Sequence, residues 1–145
     1  MAVYLSCGTE LPTGPLIAAL HGKGRALFAP LLDHGGRLRF VPLTRGAKLR
    51  RDPLGFMRPV SARTRLAPRR LDVLVLPLLG FDTQGRRLGQ GGGHYDRALA
   101  FARIGQRPRR IGYAYAVQEA GELPADPWDV RLDAVVTERK VHRFR

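Results

Sequence analysis

The residues best suited to chemistry form one run: Arg86-Arg87-Leu88-Gly89-Gln90-Gly91-Gly92-Gly93-His94-Tyr95-Asp96-Arg97. Four of the five positions 89–93 are glycine. Without side chains, the backbone N–H groups of such a loop stay uncovered. A phosphate can approach them closely and also meet the positive end of a following helix. Arg86 and Arg87 can add charge-assisted contacts to phosphate oxygens. Asp96, in the first turn after the glycines, can hold a Mg²⁺ that bridges those oxygens. The spacing excludes two common phosphate loops. No Gly-Lys-Ser/Thr follows, so this is no Walker A loop, and His94 stands where GxGxxG needs its third glycine. A lone glycine cluster is usually a flexible turn. The arginine pair, the Tyr95-Asp96 step and an apolar run just upstream set this one apart.

Other residues carry weaker signals when taken singly. Asp96 is favourable near a helix N-terminus whatever its role. Asp133, just before an apolar run, reads as a strand-edge acid, and Glu10 reads as a surface loop residue. Tyr95 reads as a packing residue. His21, His34 and His142 show no metal-ligand spacing and read as solvated. The single cysteine, Cys7, excludes an intrachain disulfide and a CxxC metal site, and it reads as a small buried residue.

The elements that must position these residues follow from hydrophobic patterning. Residues 3–5 read as a short buried strand. Thr13 followed by Pro15, with Leu16, Ile17 and Leu20 apolar, predicts a helix that Gly22 or Gly24 can end. Residues 25–30 read as a second strand. Leu38, Phe40 and Val41 read as a third, at a sheet edge because Pro42 cannot donate to a ladder. Residues 44–68 lack periodicity and read as a long surface loop. The continuous apolar run 71–79 predicts a strand buried on both faces. The glycine loop follows it, then a helical face formed by Tyr95, Ala98, Leu99 and Ala102. Residues 110–116 and 134–137 read as two further strands. Alternation of strands and helices predicts one α/β domain over residues 1–145 with a mostly parallel sheet. There is no internal repeat.

Composition narrows the class. The chain has 145 residues, 44% of them hydrophobic, enough for one core. No apolar run reaches membrane-spanning length and no signal peptide is visible, so a cytoplasmic protein is expected. The net charge of +13 admits an anionic partner. All but three of the basic residues are arginine (Lys23, Lys48 and Lys140 are the exceptions), and they are spread along the chain, which reads as compositional drift. Aromatic residues are not interleaved with the basic ones, so no nucleic-acid partner is expected.

Taken together, Leu76-Pro77-Leu78-Leu79-Gly80-Phe81-Asp82, Gly85 and residues 87–97 closely resemble the central signature of the 5-formyltetrahydrofolate cyclo-ligases (5,10-methenyltetrahydrofolate synthetases). So do Tyr4-Leu5, Glu10 and Pro15-Leu16-Ile17 before them. Downstream, Gly112-Tyr113-Ala114, Glu122-Leu123-Pro124, Pro127-Trp128-Asp129 and residues 132–137 continue the match in collinear order. The resemblance implies a three-layer Rossmann-like α/β fold of the NagB/RpiA/CoA-transferase kind. It also implies ATP- and Mg²⁺-dependent cyclisation of 5-formyltetrahydrofolate to 5,10-methenyltetrahydrofolate (EC 6.3.3.2), through a phosphorylated formyl group, by a monomer.

Carried over by motif, Arg87, Leu88, Gly89, Gln90, Gly91, Gly92, Gly93, His94 and Tyr95 form the ATP site. Leu5, Glu10, Gln90, Gly91, Gly92, Gly93 and His94 contact the folate, and Asp96 and Asp133 ligate Mg²⁺. No catalytic residue is assigned, and Trp128 is expected to pack near the site. Two departures stand out. Members of the family begin earlier, with an amphipathic helix carrying a Lys-x-x-x-Arg pattern that binds ATP, so this chain reads as N-terminally truncated. A short relative that binds folate or nucleotide without turnover is the alternative. Arg58 occupies a region where many bacterial members have an acidic residue, and no function is expected there.

Overall fold

The computed structural model describes residues 1–61, 63–102 and 106–144. In chain order the elements are β1 (Ala2–Val3), α1 (Gly14–Gly22), β2 (Phe28–Leu32), β3 (Leu38–Pro42), β4 (Leu49–Arg51), β5 (Met57–Pro59), β6 (Val73–Leu76), β7 (Gly80–Phe81), β8 (Arg87–Leu88), α2 (His94–Leu99), β9 (Arg109–Tyr113), β10 (Ala134–Val136) and β11 (Val141–Arg143). Single 3₁₀ turns occupy Pro68–Arg70 and Ala116–Gln118.

Seven strands form one sheet in the order β11-β10-β9-β6-β1-β2-β3. The strands from β10 to β2 run parallel, and β3 and β11 close the two edges antiparallel. The α/β architecture with a mostly parallel sheet is therefore as the pattern predicted, including the edge position of β3. From β1 the chain first builds outward to β2 and β3. It then returns to the other side of β1 and builds β6, β9 and β10. That reversal makes the β1/β6 seam the topological switch point, where ligands of doubly wound folds bind beyond the carboxyl ends of the strands.

Side-chain alternation on β6 divides the core into two layers. Leu74 and Leu76 point to one face, with Ala2, Phe40, Phe81, Leu99 and Val135, and the α2 residues Tyr95 and Ala98 pack against them. Val75 points to the other, with Val3, Tyr4, Leu27 and Ala29, covered by Leu16, Ile17 and Leu20 of α1. Burying each of these leucines is worth about 2 kcal/mol. At Gly112 on β9 the first layer packs too closely for a side chain: a Cβ there would stand 2.6 Å from Leu78 and 2.9 Å from Val135.

The structure adds strands that the sequence reading lacks: β4 and β5, the short β7–β8 pair, and β11. Residues 44–68 are not one loop, because β4 and β5 form an antiparallel hairpin within them. Asp52 Oδ1 accepts the amides of Leu54 and Phe56 at its turn, and Gly55 takes the left-handed conformation. The edge strand β11 escaped notice because Val141 is its one apolar residue. His142, read as solvated, is instead 9% exposed at its side chain and packs edge-on against Phe81, 4.9 Å between centroids. His21 is likewise engaged, Nε2 lying 2.8 Å from the Leu43 carbonyl oxygen.

Candidate active site

A cleft of about 550 Å³ opens at the switch point. Tyr4 and Leu5, just beyond β1, and Pro77 and Leu78, just beyond β6, form its floor. The glycine loop, continued into His94, Tyr95 and Asp96, forms one wall. The opposite wall comes from Pro30, Leu31 and Leu32 of β2 and from Asp52, Phe56, Met57 and Arg58 of the hairpin. Trp128, 68% exposed, stands on a third side. A more open groove of about 600 Å³ lies between Arg86 and residues 122–131. Arg86 is committed there to Glu122, at 2.7 Å, and to the Leu123 carbonyl, at 3.0 Å. The switch-point cleft is thus the site where free hydrogen-bonding groups converge.

The free groups are the loop amides. Among the described residues, no protein acceptor takes the N–H of Gly89, Gln90, Gly91, Gly92 or Gly93. Gly91 (φ 87°) and Gly93 (φ 60°) adopt left-handed conformations that other residues reach only at a cost. This keeps the loop turned so that it lines the cleft.

Both arginines expected to serve phosphates already have protein partners. Arg86 is held as described. Arg87 places Nη2 2.9 Å from each oxygen of Asp96 and lies 5.8 Å from the Tyr95 ring centroid. Its side chain is 6% exposed and its Nε has no partner. Asp96 Oδ1 also accepts the amide of Val130, at 3.1 Å. Arg87 and Asp96 therefore brace the glycine loop against the segment carrying Trp128.

On the floor, Glu10 Oε2 accepts the amide of Cys7 at 2.8 Å, and Oε1 takes a long hydrogen bond of 3.4 Å from Gln90 across the cleft. Burial raises its carboxyl above the ordinary value, opposed by the Cys7 amide. Burial likewise pushes the phenols of Tyr4 and Tyr95 up, so both stay protonated at neutral pH. The Tyr4 hydroxyl reaches the carbonyls of Leu11 and Tyr113.

Asp82 is fully buried beneath the loop. Burial would raise its carboxyl. The amides of Arg86, Leu123 and Gln84 and the Arg86 charge outweigh that and hold it below the ordinary value. One side chain thereby joins the β7–β8 turn to the segment after Glu122.

The structure brings Leu5, Glu10, residues 87–95 and Asp96 to one cleft. It does not bring Asp133 there. The Asp133 side chain is 5% exposed, and Oδ2 accepts both Nε (2.9 Å) and the backbone N–H (2.8 Å) of Arg110. Oδ1 accepts Arg110 Nη2 at 3.2 Å. Arg110 Nη1 in turn donates to the Ala102 carbonyl just beyond α2. No cluster of three or more His, Cys, Asp or Glu able to hold a metal occurs among the described residues. Asp133 thus lies outside the cleft that Asp96 lines and is paired with Arg110. Asp96 is the carboxylate left beside the loop amides, and Mg²⁺ commonly needs just one or two carboxylates besides phosphate oxygens.

Sequence reasoning missed the hairpin wall and the structural role of Asp82. The signal for the wall was Phe56 beside Gly55, an exposed aromatic residue in a turn. For Asp82 it was the Asp-x-x-Gly step at 82–85, which suits a side-chain-capped turn.

A doubly wound sheet with uncovered loop amides at its switch point defines a ligand-binding α/β protein. The model of the 5-formyltetrahydrofolate cyclo-ligase family matches residues 1–138, and the chain belongs to that family. It is 40% identical over 144 residues to the 5-formyltetrahydrofolate cyclo-ligase of Escherichia coli K12, covering 97% of this chain and 79% of the relative. Identity to the Haemophilus influenzae protein of the same name is 33%, over 91% of this chain and 72% of the relative. The solution structure of Aquifex aeolicus 5,10-methenyltetrahydrofolate synthetase superposes with a TM-score of 0.82 at 32% identity, covering 99% of this chain and 71% of that one. The Mycoplasma pneumoniae synthetase structure, 24% identical with a TM-score of 0.67 over 92% of this chain and 71% of that one, shares the fold.

Proposed function

We propose that this chain cyclises 5-formyltetrahydrofolate to 5,10-methenyltetrahydrofolate at the expense of ATP. The observation that carries the reading is the set of unpaired amides at residues 89–93 lining the switch-point cleft. The family match supplies the substrate.

The chemical problem is a poor leaving group, the oxygen of an N-formyl amide. Transfer of the ATP γ-phosphoryl group to that oxygen forms an O–P bond and releases ADP. The N10 lone pair then attacks the formyl carbon, closing the ring. The C–O bond breaks, phosphate leaves with the oxygen, and N10 loses its proton. Such a reaction rests on positioning and charge stabilisation more than on covalent help from the protein.

Each wall has a part in this. The amides of residues 89–93 meet phosphate oxygens, and Asp96 would hold any Mg²⁺ accompanying them. Magnesium supplies charge neutralisation on the phosphates. Glu10, ionised, accepts N–H donors of the pterin. Leu5, Phe56 and Trp128 offer apolar and aromatic surface to its rings.

The test is direct. Protein mixed with ATP, Mg²⁺ and 5-formyltetrahydrofolate should show the rising near-ultraviolet absorbance of the methenyl product, with ADP formed in equal amount. Binding of both ligands with no product would replace this reading by one of a non-catalytic relative.

A further inference from the structure

Arg58 stands apart from the other well-placed arginines. Arg86, Arg87 and Arg110 each meet a carboxylate of the protein itself. Arg58 lines the cleft, yet among the described residues no hydrogen-bond or ion-pair partner engages its side chain. Its Nε is removed from solvent without an acceptor. A donor left in that state costs free energy until something accepts from it.

The hairpin register sharpens the point. Arg58 on β5 pairs directly with Arg50 on β4, so both side chains leave the same face. Like charges directly opposite each other destabilise a strand pair. Arg50 is exposed and also lacks an acidic partner among the described residues. Arg51, on the other face, donates to the Gly55 carbonyl at 2.9 Å. Arg58 on the cleft wall, its Nε short of an acceptor, with exposed Arg50 leaving the same face of the hairpin, concentrates positive charge where an oxyanion can be received.

We propose that Arg58, with Arg50 beside it, is the specificity determinant that receives the carboxylates of the folate glutamyl tail. The proposal rests on the function proposed above. Two sources of oxyanion are available to the cleft, the tail carboxylates and the nucleotide phosphates. The uncovered amides lie on the facing wall and already provide for phosphate. Arg58 instead adjoins Met57 and Phe56, apolar surface suited to the aryl group that precedes the tail. The planar guanidinium fork matches a carboxylate in bidentate fashion.

Calorimetry on the full chain would use 5-formyltetrahydrofolate, 5-formyltetrahydropteroate (which lacks the glutamate) and ATP as separate titrants. The native chain should bind the folate on the order of 10-fold more tightly than the pteroate, the scale of one charge-assisted pair. Arg58→Ala should remove that difference, Arg58→Lys should restore part of it, and ATP affinity should not change. Arg50→Ala, at the exposed end, tests the partner and is free of folding concerns. Loss of ATP affinity in Arg58→Ala would make the fork a phosphate site and overturn the proposal. So would equal weakening of folate and pteroate, or no change in either. Turnover is read separately. A discriminating Arg58 in a chain that forms no product would leave the tail site standing and remove the cyclisation.

Discussion

Glu10 holds the amide of Cys7 with one oxygen and faces Gln90 with the other, and burial favours its protonated form. An acid with a raised folded-state value adds stability below its unfolded value and loses it as pH rises through the folded one. At neutral pH the ionised Glu10 is therefore a cost to the fold that a bound N–H donor can offset. Folate binding should strengthen as pH rises through the raised Glu10 value and then level off. Glu10→Gln should flatten that profile while slightly raising the melting temperature at neutral pH. Titration calorimetry across pH, with both proteins, checks it. A profile that persists in Glu10→Gln would assign the proton elsewhere.

The Arg110–Asp133 pair is buried, so neither charge can be removed alone without cost. Asp133→Asn leaves the buried Arg110 charge without its counterion, which should cost about 3–5 kcal/mol by urea unfolding. The double change Arg110→Met with Asp133→Leu should recover much of that stability, as replacing both members of a buried pair often does. It should also leave the Mg²⁺ dependence of turnover at its native value. A selective rise in the Mg²⁺ requirement would return Asp133 to the metal.

Among the elements, the β7–β8 turn is a joint. Asp82 accepts three backbone amides from two segments. Asp82→Ala would strand those donors, at roughly 3 kcal/mol. Its folded-state value lies below the ordinary one, so its contribution is present above the unfolded value and lost as pH falls through the folded one. Native stability should therefore drop in acid more steeply than that of Asp82→Ala, as paired denaturation curves would show.

The legibility of these elements followed their apolar density. The β6 run, with Val73, Leu74, Val75 and Leu76 in sequence, announced a strand buried on both faces. Thr13 and Pro15 announced α1. The β4–β5 hairpin stayed hidden because Leu49-Arg50-Arg51 and Met57-Arg58-Pro59 bury little, and their pairing arises from the Asp52 turn and from packing against β2. Half the cleft wall was lost with it. The glycine loop was legible as a site because backbone exposure is written in residue type. The pairings Arg86–Glu122, Arg87–Asp96 and Asp133–Arg110 were not, since they join residues 36, 9 and 23 positions apart, and a sequence does not state which charges meet.

For the whole molecule, the net charge of +13 acts against compactness. Raising salt from low to moderate ionic strength should screen that repulsion and lift the melting temperature by roughly 3–4 °C, the shift that about 1 kcal/mol produces in a chain of this size. The same salt should weaken capture of an anionic folate. Opposite signs in one titration series would separate the two effects. No helix among the described residues is long and apolar enough to cross a membrane.

The Gln90–Glu10 contact has one more outcome. It is the thread between the loop of bare amides and the floor beyond β1, two stretches 80 positions apart. A molecule that donates to Glu10 Oε1 competes with Gln90 for that oxygen, where the existing bond is long.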